Sequence, residues 1–336
     1  MLKKIFLVKK MSLLRKKLFN LYLMKKAPLF ILLFILSIEM FSQQDPQFAF
    51  NKDNLLFTNP AYAGMVDGIC ATAISRQQWV GFEGAPKTTL AGIHSKVKLF
   101  GINGGIGLSI NDDRFEFEKN FQAKLAFSYH KRFGAGILGF GLETGIINKD
   151  LQGDWRPPDE GGSTDPYIVG EGGVRKIVFD LGAGVFYKVG ESFYASFSVS
   201  HLHQPEVRYP KVIAASFLRR HYFATVGYNF RLFNSPVEMK PSVFVKFDGT
   251  KMQYSGNLTA LYNKKFSLGV SYRNREAIVP MVGFELISGL KIGYAYEISL
   301  TKLVTINKGT HEVFVGYCFD FWGKKGDYKY KSILYL

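Results

Sequence analysis

Few residues of this 336-residue chain have the type and spacing that chemistry requires. His311-Glu312 sets an imidazole beside a carboxylate, the material of a metal site or an acid–base pair. Adjacent strand residues point to opposite faces, so these two cannot share one site. His201 and His203 would share a face, but no third ligand is placed nearby. Asp150, Asp154, Asp159, Glu160, Asp165 and Glu171 crowd one loop that could hold Ca²⁺; their spacing matches no EF-hand, and a solvated loop is the simpler reading. Gly101, Gly104, Gly105 and Gly107 sit in a strand pattern with no helix to follow, so the helix N-terminus that a phosphate cradle depends on is missing. Ser, His and acid are not grouped at strand ends as a hydrolase triad would need. The expectation is no enzyme, no cofactor and no resident metal.

The elements that carry these residues are better defined. Aromatics are 15% of the chain and charged residues 21%, with 34 Gly, which suits short amphipathic strands joined by turns and excludes disorder as the main state. The net charge of +16 is concentrated: Met1 to Ser42 holds nine of the 43 Lys/Arg and one of the 27 acids, so the rest carries about +8 and leaves no nucleic-acid footprint. Lys25 and Lys26 precede the apolar run Ala27 to Ile38, and Ser42 offers a small residue before Gln43, the pattern of a secretory signal peptide. That run is shorter than the roughly 20 apolar residues a spanning helix needs. Met24 opens a complete signal peptide by itself, so residues 1–23 are read either as an upstream start or as a long basic leader. The expected division is 1–42 extension and signal, 43–66 a periplasmic or lumenal segment, 67–321 a barrel and 322–336 a tail.

From residue 67 apolar side chains alternate with small or polar ones in segments of about ten. In 177–189 one face reads Ile177, Phe179, Leu181, Ala183, Val185, Tyr187, Val189 and the other Val178, Asp180, Gly182, Gly184, Phe186, Lys188. The second set cannot face lipid, where a charge at the midplane costs about 2–4 kcal/mol. A soluble sandwich would alternate too, but its outer face should be more charged. The alternation, the sorting signal and aromatics near strand ends together predict a transmembrane antiparallel β-barrel of about 14 strands. These fall near 67–80, 87–98, 103–112, 118–133, 135–149, 176–189, 191–203, 219–233, 236–247, 252–263, 265–275, 278–288, 290–299 and 309–321. Short connections alternate with longer ones at 81–86, 113–117, 150–175, 204–218 and 300–308, which puts both termini in the periplasm. Pro241 and Pro280 fall inside strands, where a bulge or strand end is expected. Cys70 and Cys318 lie on the lumen side of the first and last strands, neighbours on closure, and a disulfide across that seam is left open.

Three motifs stand out: Gln44-Asp45-Pro46-Gln47-Phe48; Thr58-Asn59-Pro60-Ala61-Tyr62-Ala63-Gly64; and Arg76-Gln77-Gln78-Trp79-Val80-Gly81-Phe82-Glu83-Gly84-Ala85-Pro86-Lys87-Thr88. With Gly309-Thr310-His311-Glu312 opening the last strand, they closely resemble the PorP/SprF family of outer-membrane proteins of the type IX secretion system of Bacteroidetes. The tail Trp322 to Leu336 departs from the family pattern, which places the terminal aromatic at Phe319 or Phe321. The resemblance implies an outer-membrane barrel embedded in lipid that works with periplasmic ring lipoproteins in secretion or gliding and helps a secreted adhesin or other cell-surface cargo reach the surface. Asn59 to Gly64 would plug the lumen, dock a partner, or simply form a tight turn. Trp79, above the 81–86 loop with Gly84, Ala85 and Pro86, would be an interface aromatic or a partner contact. A passive diffusion porin is the alternative, motivated by the Gly- and Ser-rich inner face.

Overall fold

Period-two alternation becomes a closed sheet when every strand finds two neighbours, because lipid offers no partner to an unpaired N–H or C=O. The computed structural model describes residues 45–99, 101–152, 173–209, 215–287 and 289–319. The extension and signal, the tail, Phe321 and the loop acids Asp154, Asp159, Glu160, Asp165 and Glu171 lie outside the described residues.

The strands are β1 (Ile69–Gln77), β2 (Lys87–Leu99), β3 (Ile102–Phe115), β4 (Glu118–Phe133), β5 (Gly136–Leu151), β6 (Val174–Val189), β7 (Phe193–Ser200), β8 (Glu206–Arg208), β9 (Ala215–Phe217), β10 (His221–Tyr228), β11 (Phe230–Arg231), β12 (Val237–Phe247), β13 (Met252–Tyr262), β14 (Phe266–Arg273), β15 (Ala277–Ile287), β16 (Leu290–Ser299) and β17 (Thr310–Phe319). β8 and β9 pair only with each other, and β10 and β11 are two pieces of one stave, so 14 antiparallel staves form the wall. β1 closes the ring on β17 from Ile69↔Phe319 to Gln77↔His311.

The two faces separate as the alternation requires. Leu125, Leu142 and Leu268 point outward, 56%, 67% and 67% exposed, while Lys124 and Glu143 beside them in the chain, and Thr259 on the neighbouring strand, are buried inside. No described helix is long and apolar enough to cross a membrane. One end carries the short turns at 134–135 and 263–265, with exposed Phe133, Phe233, Tyr262 and Phe266 near them. The other carries the long connections, with Phe121, Phe247, Tyr254 and Tyr272 close by. Two aromatic belts at the two lipid–water boundaries are the expected dress of such a wall.

Two expectations change. The 113–117 connection is a two-residue turn, because β3 and β4 run on past the apolar band: Arg114 pairs with Lys119, Phe115 with Glu118, and the Thr88 hydroxyl donates to Asp113 at 2.6 Å. The prolines produce no bulge at their own positions. Pro241 stays inside β12, paired to Leu258; the ladder on its other side is interrupted opposite it, so the neighbouring stave divides into β10 and β11 with register kept. Pro280 likewise pairs with Val270, while its ladder to β16 skips from Ile278 to Met281. The missing N–H breaks one ladder and leaves the other whole. The register shift in β15 lies elsewhere, between Glu285 and Ile287.

Candidate functional site in the barrel lumen

Residues 45–66 lie inside the ring, since they touch inward residues on staves all around it. Asn51–Asp53 and Pro60–Tyr62 form 3-10 turns and Leu55–Thr58 a single helical turn. So short a stretch cannot hold a helix alone, and its order comes from the wall. Leu55, Ala61 and Ala63 are 1%, 0% and 0% exposed.

Asn59 builds the central turn. Its carboxamide oxygen accepts from the Ala61 N–H at 2.9 Å, and its amide donates to the Val185 carbonyl at 2.9 Å and the Phe197 carbonyl at 3.3 Å, fastening the turn to β6 and β7. Pro60 starts the turn at the position where its fixed φ is an advantage. Gly64 has φ +67, and a Cβ there would meet the Gly105 Cα at 2.6 Å; a Cβ on Gly141 would meet the Ala61 nitrogen at 2.1 Å. Part of the Gly-rich inner face is therefore a bed for this turn, and the space that suggested an open pore is occupied by backbone. Tyr62 packs between Phe186, with centroids 5.3 Å apart, and His94, at 5.1 Å. Burial raises its hydroxyl pKa, and Asp53 and Tyr194 add to the effect.

The seam holds the first half of the segment. The Glu312 carboxylate accepts the N–H groups of Ala49 at 2.9 Å and Phe50 at 3.0 Å. Arg76 reaches Glu312 at 3.5 Å and Glu297 at 2.9 Å, donates to the Gln47 carbonyl at 2.5 Å, and Arg273 closes the network on Glu297 at 3.1 Å. Phe50 stacks on Phe314 at 5.2 Å. Lys52 donates to the Thr259 hydroxyl at 3.0 Å; burial lowers its pKa, with Asp53 opposing.

Asp45 stands at the long-connection end, with one carboxylate oxygen 3.4 Å from His201 Nε2 and the other 3.7 Å from His221 Nδ1. Burial alone would raise its carboxyl pKa, but His221, His201 and Lys246 hold it well below the usual range. His201 is penalised by burial, yet Asp45 and the hydrogen bond to Asp180 carry it to about 9. At the opposite end the Lys188 ammonium donates to the Met65 carbonyl and Lys96 pairs with Asp67 at 3.0 Å. The chain thus threads the lumen from the long-connection end to the short-turn end, where β1 begins and Phe319 ends β17. Placing both termini at one end does not describe residue 45. Near the long-connection end the paired β8 and β9 pack on β5 and β6, with Val207 buried against Ile147 and Val178.

The other sequence candidates separate by face. Glu312 points inward, whereas His311 faces outward against Tyr294, its Nδ1 2.6 Å from the hydroxyl. His203 does not share a face with His201: φ is +53 at His201, the chain leaves the strand there, and His203 sits beside Phe179. Trp79 is half-buried at the loop edge; its backbone N–H donates to the Thr310 hydroxyl at 3.2 Å, and the Val80 N–H to the Gly309 carbonyl at 2.9 Å. The Gln78 N–H donates to the Pro86 carbonyl at 2.9 Å and the Glu116 N–H to the Gly84 carbonyl at 3.0 Å, while Ala85 is half-buried beside them. Asp150 pairs with Arg175 at 3.0 Å. Cys70 and Cys318 are opposite each other at the seam, Cα atoms 4.1 Å apart, and form a disulfide. Sequence reasoning named His201 but missed the Asp45–His201–His221 group, since Asp45 lies more than 150 residues away in the chain and His221 meets His201 only through the pairing of β10 with β7.

No curated protein matches this sequence. Among solved structures the chain is similar to the toluene transporter TbuX of Ralstonia pickettii, with a TM-score of 0.48, 11% identity and coverage of 78% of this chain and 92% of that one. It is also similar to the outer membrane protein Omp33 of Acinetobacter baumannii, with a TM-score of 0.46, 7% identity and coverage of 76% and 100%. The model of the type IX secretion system membrane proteins PorP/SprF matches residues 40–317. Those residues include the whole lumenal segment, the seam that grips it and nearly all of the wall, and the chain belongs to the PorP/SprF family of type IX secretion system membrane proteins.

Proposed function

We propose that this protein is a closed, non-enzymatic scaffold of the type IX secretion and gliding machinery in the outer membrane. The observation that carries the reading is the filled lumen: residues 45–66 are pinned to the wall from end to end. A diffusion porin needs a continuous water path, and a catalyst needs a nucleophile with its base within reach. In this reading the short turns face the periplasm and meet the ring lipoproteins. The long connections face outward, where the rigid 78–86 loop with Trp79 supports secretion or attachment of an adhesin or cell-surface cargo. Affinity purification from native membranes tests it: ring lipoproteins or a surface protein should accompany the barrel in mild detergent. Recovery of the barrel alone, reproducibly, would overturn it.

A further inference from the structure

His221 is 2% exposed, yet neither of its ring nitrogens has a hydrogen-bond partner. A buried polar group left unsatisfied costs about 1–3 kcal/mol, so such a side chain asks for an occupant. The Asp45 carboxylate faces it, 3.7 Å from Nδ1 and too far for a hydrogen bond. His201 Nε2 lies 3.4 Å from the other oxygen of the same carboxylate, and one donor atom from each of the three residues falls within 4.8 Å of the others. The separations of 3.4 and 3.7 Å are close to those between neighbouring ligands of a tetrahedral ion with bonds of about 2.0–2.2 Å, and the 4.8 Å span asks the two rings to draw inward as the ion enters.

The shell behind the donors fits as well. His201 Nδ1 is 2.9 Å from Asp180, which is 1% exposed, so the carboxylate holds the proton on Nδ1 and turns the Nε2 lone pair toward Asp45 and His221. A carboxylate behind a ligating imidazole is the usual way a protein orients a metal-binding histidine. The cations nearby are engaged: Lys124 pairs with Glu143 at 2.9 Å and Asp180 at 3.6 Å, and the Lys246 ammonium donates to the Asp45 backbone carbonyl. A protonated His201 bridging Asp45 and Asp180 would satisfy those two acids, but it leaves both nitrogens of His221 unexplained.

We propose that Asp45, His201 and His221 bind one divalent transition-metal ion of the zinc class, fastening the start of the lumenal segment to β10 and to the end of β7. Two imidazoles and one carboxylate suit zinc, with a further position left to water. The ion then acts as a clasp at the long-connection mouth.

The test uses the mature chain in detergent, without a histidine tag, stripped with chelator and titrated with Zn²⁺ by calorimetry. One saturable site per chain is expected. His221→Ala and His201→Ala should weaken it at least tenfold, Asp180→Asn by about 10–100-fold, and His203→Ala not at all. Heat-modifiable migration on gels establishes that each variant is folded. Should His221→Ala not fold, the wild-type Co²⁺ spectrum decides: strong ligand-field absorption supports the site, and the weak spectrum of the hydrated ion overturns it. The absence of a one-to-one site, or a folded His221→Ala that binds Zn²⁺ like the wild type, would also overturn the proposal.

Discussion

The Glu312 carboxylate is met inside the barrel by two backbone N–H groups and by Arg76. Removing one member of a buried ionic group strands the others, at a cost of about 3–5 kcal/mol. Glu312→Ala should therefore free the 45–57 stretch, read as new protease cleavage within it while the barrel keeps its heat-modifiable migration; an unchanged digest would show that Glu312 does not hold the segment. Gly141 argues from the other side of the contact. Any Cβ there falls on the Ala61 nitrogen, so Gly141→Val should expose the Asn59–Gly64 turn to protease, whereas Gly256→Ala, a site with nothing within 4 Å, should not. Asn59 to Gly64, one of whose readings is a tight turn, and Glu312, in the motif that opens the last strand, are in three dimensions two grips on one segment.

At the scale of elements, β4 at 118–133 was legible to the residue because both faces alternate without interruption and turns bracket it. The 113–117 turn was not, because Asp112 and Asp113 look like loop residues until the wall is seen to project beyond the lipid. The split between β10 and β11 belongs to Pro241 on another strand, a partner no local reading supplies. The lumenal segment was left among three readings since its order comes from the wall and not from its own propensity. The seam brings its own prediction. Intact mass of the unreduced protein should show no free thiols, and reduction should lower stability by about 2–5 kcal/mol without opening the barrel, since nine paired positions remain between β1 and β17. Two free thiols in the unreduced protein would remove the cross-link from the account.

For the whole molecule, lipid outside and peptide inside are the two conditions that shape the sequence. Leu142 is 67% exposed at the middle of β5, so Leu142→Lys should cost about 2–4 kcal/mol in a denaturant titration in lipid vesicles. A negligible change would argue that this face does not meet lipid. The filled lumen is the central claim, and conductance in planar bilayers tests it most directly, comparing the intact barrel with a variant lacking residues 45–66. The account predicts a silent intact protein and stable, large conductance steps from the deletion variant; an intact protein that conducts as well as the variant would contradict it.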